Sequence, residues 1–133
     1  MSTGGPVRLL LIRHAETEQN AGGVVQGRAD NPLSDIGRRQ ADALGAALYR
    51  EPLAAVYSSP LGRARTTAEA VATRRRLTVH CDPDLAEMDI GEMEGLSSAE
   101  LRARHPDFLK AWFSDDAPTI PMPGGESLAQ VQA

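Results

Sequence analysis

The sequence predicts an α/β protein built on a parallel sheet. Three observations lead there. Short apolar runs of strand length recur at residues 7–12, 53–58 and 77–81. Segments of helical periodicity separate them, at residues 35–50 and 63–75. The runs give way abruptly to polar residues rather than fading. Strands alternating with helices imply parallel pairing through right-handed crossovers. In open α/β sheets, ligands bind at the carboxyl ends of the strands.

The elements follow in order. Residues 1–6 hold no basic region followed by a long apolar stretch, so they read as a flexible lead-in rather than a signal peptide. Residues 7–12 are the first strand. Residues 16–31 are rich in Gly, Asn and Gln and read as loop with one short helical turn. Ser34 is a good N-cap for a helix over residues 35–50. Ala41, Leu44, Ala47 and Leu48 fall on one of its faces, and Pro52 marks that it has ended. Residues 53–58 form the second strand. A helix over residues 63–75 turns Ala64, Thr67, Ala68, Val71 and Ala72 inward. Residues 77–81 form the third strand, with Cys81 as a packed, inert thiol.

Residues 82–95 are a turn-rich acidic loop. Ser97 and Glu100 have capping-box spacing, and a short helix runs from them to about Arg104. Pro106 breaks it, and residues 107–113 form another short helix. Residues 115–125 are irregular, and Glu126-Ser127 opens a last helix.

With 133 residues, one domain over residues 1–133 is expected. A net charge of −4 argues against a general nucleic-acid-binding role. No apolar run approaches membrane-spanning length. A single cysteine allows no internal disulfide or cysteine zinc cluster. A reducing cytoplasm is the simplest location. His14, His80 and His105 are scattered without metal-ligand spacing. The glycine pairs match neither a P-loop nor a dinucleotide fingerprint. No cofactor is called for.

Three strand-to-loop junctions gather polar residues. The first offers Arg13, His14, Glu16, Thr17 and Asn20; the second Ser58, Ser59 and Arg63; the third Glu87, Asp89, Glu92 and Glu94. A fixed cation beside an imidazole suits an anionic substrate attacked by a nitrogen nucleophile. The alternative for His14 is a strand-end histidine bonded to backbone. Nearby cations lower a histidine pKa and keep an attacking nitrogen free. Arg63 lies just inside a helix N-terminus, where a cation opposes the macrodipole. A bound anion would explain it; a solvated arginine is the alternative. Glu87 suits a proton donor if neighbouring carboxylates keep it protonated. Spacing alone does not separate it from the other acids.

Taken together, these residues resemble the histidine phosphatase superfamily, the phosphoglycerate mutase-like group. Leu11-Ile-Arg-His-Ala-Glu-Thr17 with Asn20 resembles its opening motif, and Asn31-Pro-Leu-Ser-Asp-Ile-Gly37 the start of its first long helix. Tyr57-Ser-Ser-Pro-Leu-Gly-Arg-Ala-Arg-Thr-Thr-Ala68 resembles its second phosphate-binding segment. Leu85-Ala-Glu-Met-Asp-Ile-Gly-Glu-Met-Glu-Gly95 resembles its acid loop, in the form of the phosphatase branch, and Pro123-Gly-Gly-Glu-Ser127 a further segment.

The resemblance implies a three-layer α/β/α fold with a mostly parallel sheet. It implies phosphomonoester hydrolysis through a phosphohistidine, without a metal. His14 would be the nucleophile, Arg13 and Arg63 the phosphoryl clamp, and Glu87 the proton donor. Asn20 and Gln26 would line the pocket for a small phosphorylated metabolite. Two departures stand out. Ala15 replaces a common glycine, and no second histidine in a His-Gly pair follows. On that ground the chain is expected to be the front portion of a longer domain, incomplete at its C-terminus. An uncovered strand edge would then favour a homodimer or looser self-association. Mutase-type transfer, or a weakly active protein that binds phosphate esters or a partner, are the other readings.

Overall fold

The computed structural model describes residues 4–133, so the lead-in expected at residues 1–6 lies partly outside the described residues. The chain is mixed α/β. Helix α1 (Glu18–Ala21) precedes α2 (Asp35–Ala47), β1 (Val56–Ser58), α3 (Gly62–Arg74) and β2 (Val79–Cys81). Then come α4 (Ser98–Arg104), α5 (Pro106–Trp112) and α6 (Leu128–Gln132), with three 3-10 turns among the later connections. The second and third expected strands are present as β1 and β2. They pair in parallel, with Val56 opposite Val79 and Ser58 opposite Cys81. Helix α3 is the crossover between them.

The first expected strand does not form. Residues 7–12 enter no ladder, and Val7, Leu9 and Leu11 are 91, 73 and 87% exposed. An apolar run signals a need for burial without naming the partner, and here only Leu10 and Ile12 are covered in part, at 37 and 48% exposed. Cys81 also departs from expectation. It is exposed on β2 rather than packed, and His80 beside it meets Tyr57 at a ring separation of 5.3 Å.

Helix ends follow local chemistry. Thr17, Ser34, Ser97 and Ser127 cap α1, α2, α4 and α6 through their hydroxyls. Helix α4 ends at Arg104, so the expected break is present, and α5 begins on Pro106 itself, which needs no N–H there. The buried face of α2 is Gly37, Ala41 and Gly45, while Ala47 is exposed. A Cβ on Gly45 would lie 2.3 Å from the Ala70 carbonyl oxygen, so α2 and α3 approach backbone to backbone.

Two apolar clusters flank the site. One joins Ala15, Leu33 and Ala41, with Ala70 against it. The other joins Met88, Ile90, Met93, Leu96, Leu101 and Met122, backed by α5 and Val25. The acidic loop is therefore anchored. Its methionines and isoleucine point into a core while its acids stay outside it.

Candidate active site

Five of the six expected site residues share one cavity. Arg13, His14, Asn20, Gln26 and Glu87 line a space of about 330 Å³. Val24 and Val25 complete the lining. Those two valines were not foreseen. They are held by Val25 N–H donating to the Leu96 carbonyl at 2.9 Å and Gly95 N–H donating back to Val25 at 2.9 Å.

His14 is fixed by its neighbours rather than by a strand end. The Ala15 N–H donates to Thr67 Oγ1 at 3.0 Å, and that hydroxyl donates to the Arg63 carbonyl at 2.8 Å. The Glu16 N–H donates to Gln40 Oε1 at 2.9 Å, and its carbonyl accepts from Ser34 N–H at 3.0 Å. The loop is thus tied to both long helices. The Ala15 methyl packs in the cluster with Leu33 and Ala41, so the departure from glycine is accommodated.

His14 Nδ1 lies 2.7 Å from the Ala15 carbonyl oxygen. A carbonyl only accepts, so Nδ1 carries a hydrogen, and in the neutral ring the lone pair sits on Nε2.

Thr17, fully buried, organises Asn20 and Gln26. Its hydroxyl donates to Asn20 Oδ1 at 3.0 Å. It accepts from the Asn20 N–H at 3.2 Å and from Gln26 Nε2 at 2.8 Å. The Gln26 amide is thereby oriented, and its Oε1 is buried with no hydrogen-bond partner among the described residues. Arg13 is exposed at the cavity and makes no hydrogen bond or ion pair among the described residues.

Arg63 stands apart from the cavity lining. It is 2% exposed, and its Nη1 and Nη2 donate to the Ala29 and Gly27 carbonyls at 2.9 and 2.6 Å. Glu94 Oε1 grips the same two residues, accepting from Gly27 N–H at 3.0 Å and Ala29 N–H at 2.6 Å. At the start of α3, Asp30 Oδ1 accepts from the Gly62 N–H at 2.7 Å. Two backbone carbonyls give Arg63 a structural reason that sequence alone did not offer.

The four acids of the third junction separate by task. Asp89 Oδ1 accepts from Gly91 N–H at 2.9 Å, Glu94 holds residues 27 and 29, and Glu92 does not line the cavity. Glu87 alone among them reaches it. Among the described residues no three His, Cys, Asp or Glu side chains gather to hold a metal ion, and no helix is long and apolar enough to cross a membrane.

Known proteins share this arrangement of segments. The model of the histidine phosphatase superfamily (branch 1) matches residues 9–133. A bifunctional protein of Mycobacterium tuberculosis is 43% identical over 129 residues, covering 96% of this chain and 35% of its own. Phosphoserine phosphatase 1 of Hydrogenobacter thermophilus is 38% identical over 125 residues, covering 94% of this chain and 59% of its own. A solved mycobacterial glucosyl-3-phosphoglycerate phosphatase superposes with a TM-score of 0.81 at 36% identity, covering 89% of this chain and 56% of that one. The chain therefore spans roughly a third to three-fifths of the length of these relatives. The phosphoglycerate mutase-like fold expected from the sequence is the fold of these solved neighbours. With a family model matched along nearly its whole length and relatives of this identity, the chain belongs to the histidine phosphatase superfamily.

Proposed function

We propose that the site hydrolyses phosphate monoesters through a phosphohistidine on His14. The observation that carries this is the Nδ1 contact with the Ala15 carbonyl, 2.7 Å away. It leaves Nε2 as the free nitrogen of a residue lining a cavity shared with a cation, Arg13, and an acid, Glu87.

In this reading Nε2 attacks phosphorus as the ester P–O bond breaks. The leaving oxygen takes the Glu87 proton and departs as an alcohol. Glu87, now a carboxylate, accepts a proton from water as that water attacks the phosphohistidine. The N–P bond breaks, inorganic phosphate leaves, and His14 and Glu87 return to their starting forms. Arg13 stabilises charge on the phosphoryl oxygens. Arg63, turned to the Gly27 and Ala29 carbonyls and not into the cavity, holds the segment that follows Gln26. In this reading Arg13 supplies the charge stabilisation, and no metal enters a step. Asn20 and Gln26 meet the polar part of the ester.

The relatives named for glucosyl-3-phosphoglycerate and phosphoserine support a small phosphorylated metabolite as substrate. The test is labelling. Incubation with a radiolabelled phosphate ester should place acid-labile phosphate on His14, and His14→Ala should abolish both label and turnover. Label on another residue, or undiminished turnover in His14→Ala, overturns the reading. Label passed to a second hydroxyl instead of water would mark mutase chemistry.

A further inference from the structure

We propose that Arg28 and Glu126 form a brace that sets the position of the proton donor, and that both are positioning residues for the reaction. The inference rests on Glu87 being that donor. Arg28 Nε donates to the Glu87 backbone carbonyl at 2.9 Å. Its Nη2 donates to Glu126 Oε2 at 3.1 Å. The same Glu126 oxygen accepts from the Asp89 N–H at 2.8 Å. One guanidinium and one carboxylate thus grip the backbone on both sides of Met88, directly beside Glu87. Among the described residues the Glu87 side chain itself has only a local partner, accepting from the Met88 N–H at 2.9 Å.

The brace sits on a close backbone contact. The Glu92 N–H donates to the Pro123 carbonyl, and the Glu126 N–H to the Asp89 carbonyl, each at 2.8 Å. Gly91 has φ +54°, and a Cβ there would lie 2.2 Å from the Pro123 oxygen. The acid loop is therefore seated on residues 123–126, and the Glu126 carboxylate reaches across that seat to Arg28. Arg28 comes from the segment that carries Gln26 into the cavity. The brace accordingly couples three parts of the chain: the pocket wall, the acid and the late segment.

Proton transfer depends steeply on placement, and a misplacement near 1 Å can cost ~10²-fold. Glu126→Gln keeps the shape and an oxygen for Asp89 but removes the charge facing Arg28. It should lower turnover of an alkyl phosphate roughly tenfold to a hundredfold. Turnover of p-nitrophenyl phosphate, whose leaving oxygen needs little protonation, should change far less, and KM for both should hold. Arg28→Gln should act alike, and the double variant should be no worse than either alone. Arg28→Lys should restore part of the alkyl rate. Equal losses on both esters, or losses that multiply in the double variant, overturn the proposal. Backbone amide exchange and the Arg28 Nε–H resonance in the same 133-residue chain give a readout free of activity. Glu126→Gln should speed exchange at Asp89 and shift the Arg28 signal, and no change in either overturns the brace. If the brace signals respond while His14→Ala retains turnover, the phosphohistidine reading fails and the brace stands as a structural feature only.

Discussion

In the proposed reaction a backbone carbonyl selects the nitrogen of His14 that attacks. The Ala15 oxygen engages Nδ1, which leaves Nε2 for that role. Glu87 has a matching simplicity, being the one acid of its loop that lines the cavity. Glu87→Gln should therefore depress hydrolysis of alkyl phosphates by ~10²–10⁴-fold while sparing aryl phosphates. Steady-state rates on one ester of each kind check this, and equal losses would reduce Glu87 to a structural residue. Arg63 has another kind of weight. Its buried guanidinium satisfies two carbonyls at once, a geometry that a single ammonium does not reproduce. Arg63→Lys should destabilise the protein by about 1.5–3 kcal/mol, read by urea unfolding. Arg13 and His14 were legible from the apolar run that ends on them, and Asn20, Gln26 and Glu87 from the motifs around them. The partners of Arg63 were not, since a backbone carbonyl leaves no trace in a sequence. Val24 and Val25 escaped for a similar reason, as short apolar pairs in a loop look like spacers.

Elements formed where the information was local. The caps Ser34, Ser97 and Ser127 and the helices they start are where the sequence put them. The first strand failed because a ladder needs a neighbour, and residues 7–12 meet none among those described. Helix α4 gives a pH signature. The Ser97 N–H and hydroxyl both donate to Glu100 Oε2, at 2.8 and 2.9 Å. These bonds hold its carboxyl below the usual glutamate range, chiefly through the backbone donor, with Arg104 adding a little. A carboxyl lowered on folding adds stability above its unfolded pKa and loses it as pH falls through the folded value. Acid unfolding should therefore be less steep in Glu100→Gln below the usual glutamate range, with no change in slope near neutrality. The α2–α3 contact makes a sharper prediction. Gly45→Ala puts a methyl where the Ala70 oxygen stands, and should cost about 1–3 kcal/mol despite alanine's better helix propensity. Thermal unfolding followed by circular dichroism measures it.

At the scale of the whole molecule, apolar surface is left open. Val7, Leu9 and Leu11 are largely exposed, and Tyr57 on β1 is 65% exposed. Surfaces of this kind associate. The 133-residue chain should show a mass that rises with concentration in sedimentation equilibrium, and Leu9→Lys with Leu11→Lys should return it toward the monomer. A constant monomer mass in the unsubstituted chain would refute this. The fold class was legible from alternating runs alone. The extent of the sheet was not, because composition does not say which runs find partners.

The segment holding Gly27 and Ala29 lies between Arg63 and Glu94, and no ion pair joins that cation to that anion among the described residues. Each charge answers one polarity of the backbone, the arginine its oxygens and the glutamate its hydrogens. An ordinary salt bridge is symmetric under exchange, so swapping its two residues often restores it. This arrangement is not symmetric. Trading Arg63 and Glu94 would set acceptor against acceptor and donor against donor, and two errors would add instead of cancelling. Evolution and engineering alike would find the pair movable only in one sense, with charge sign fixed by the direction in which the chain runs between them.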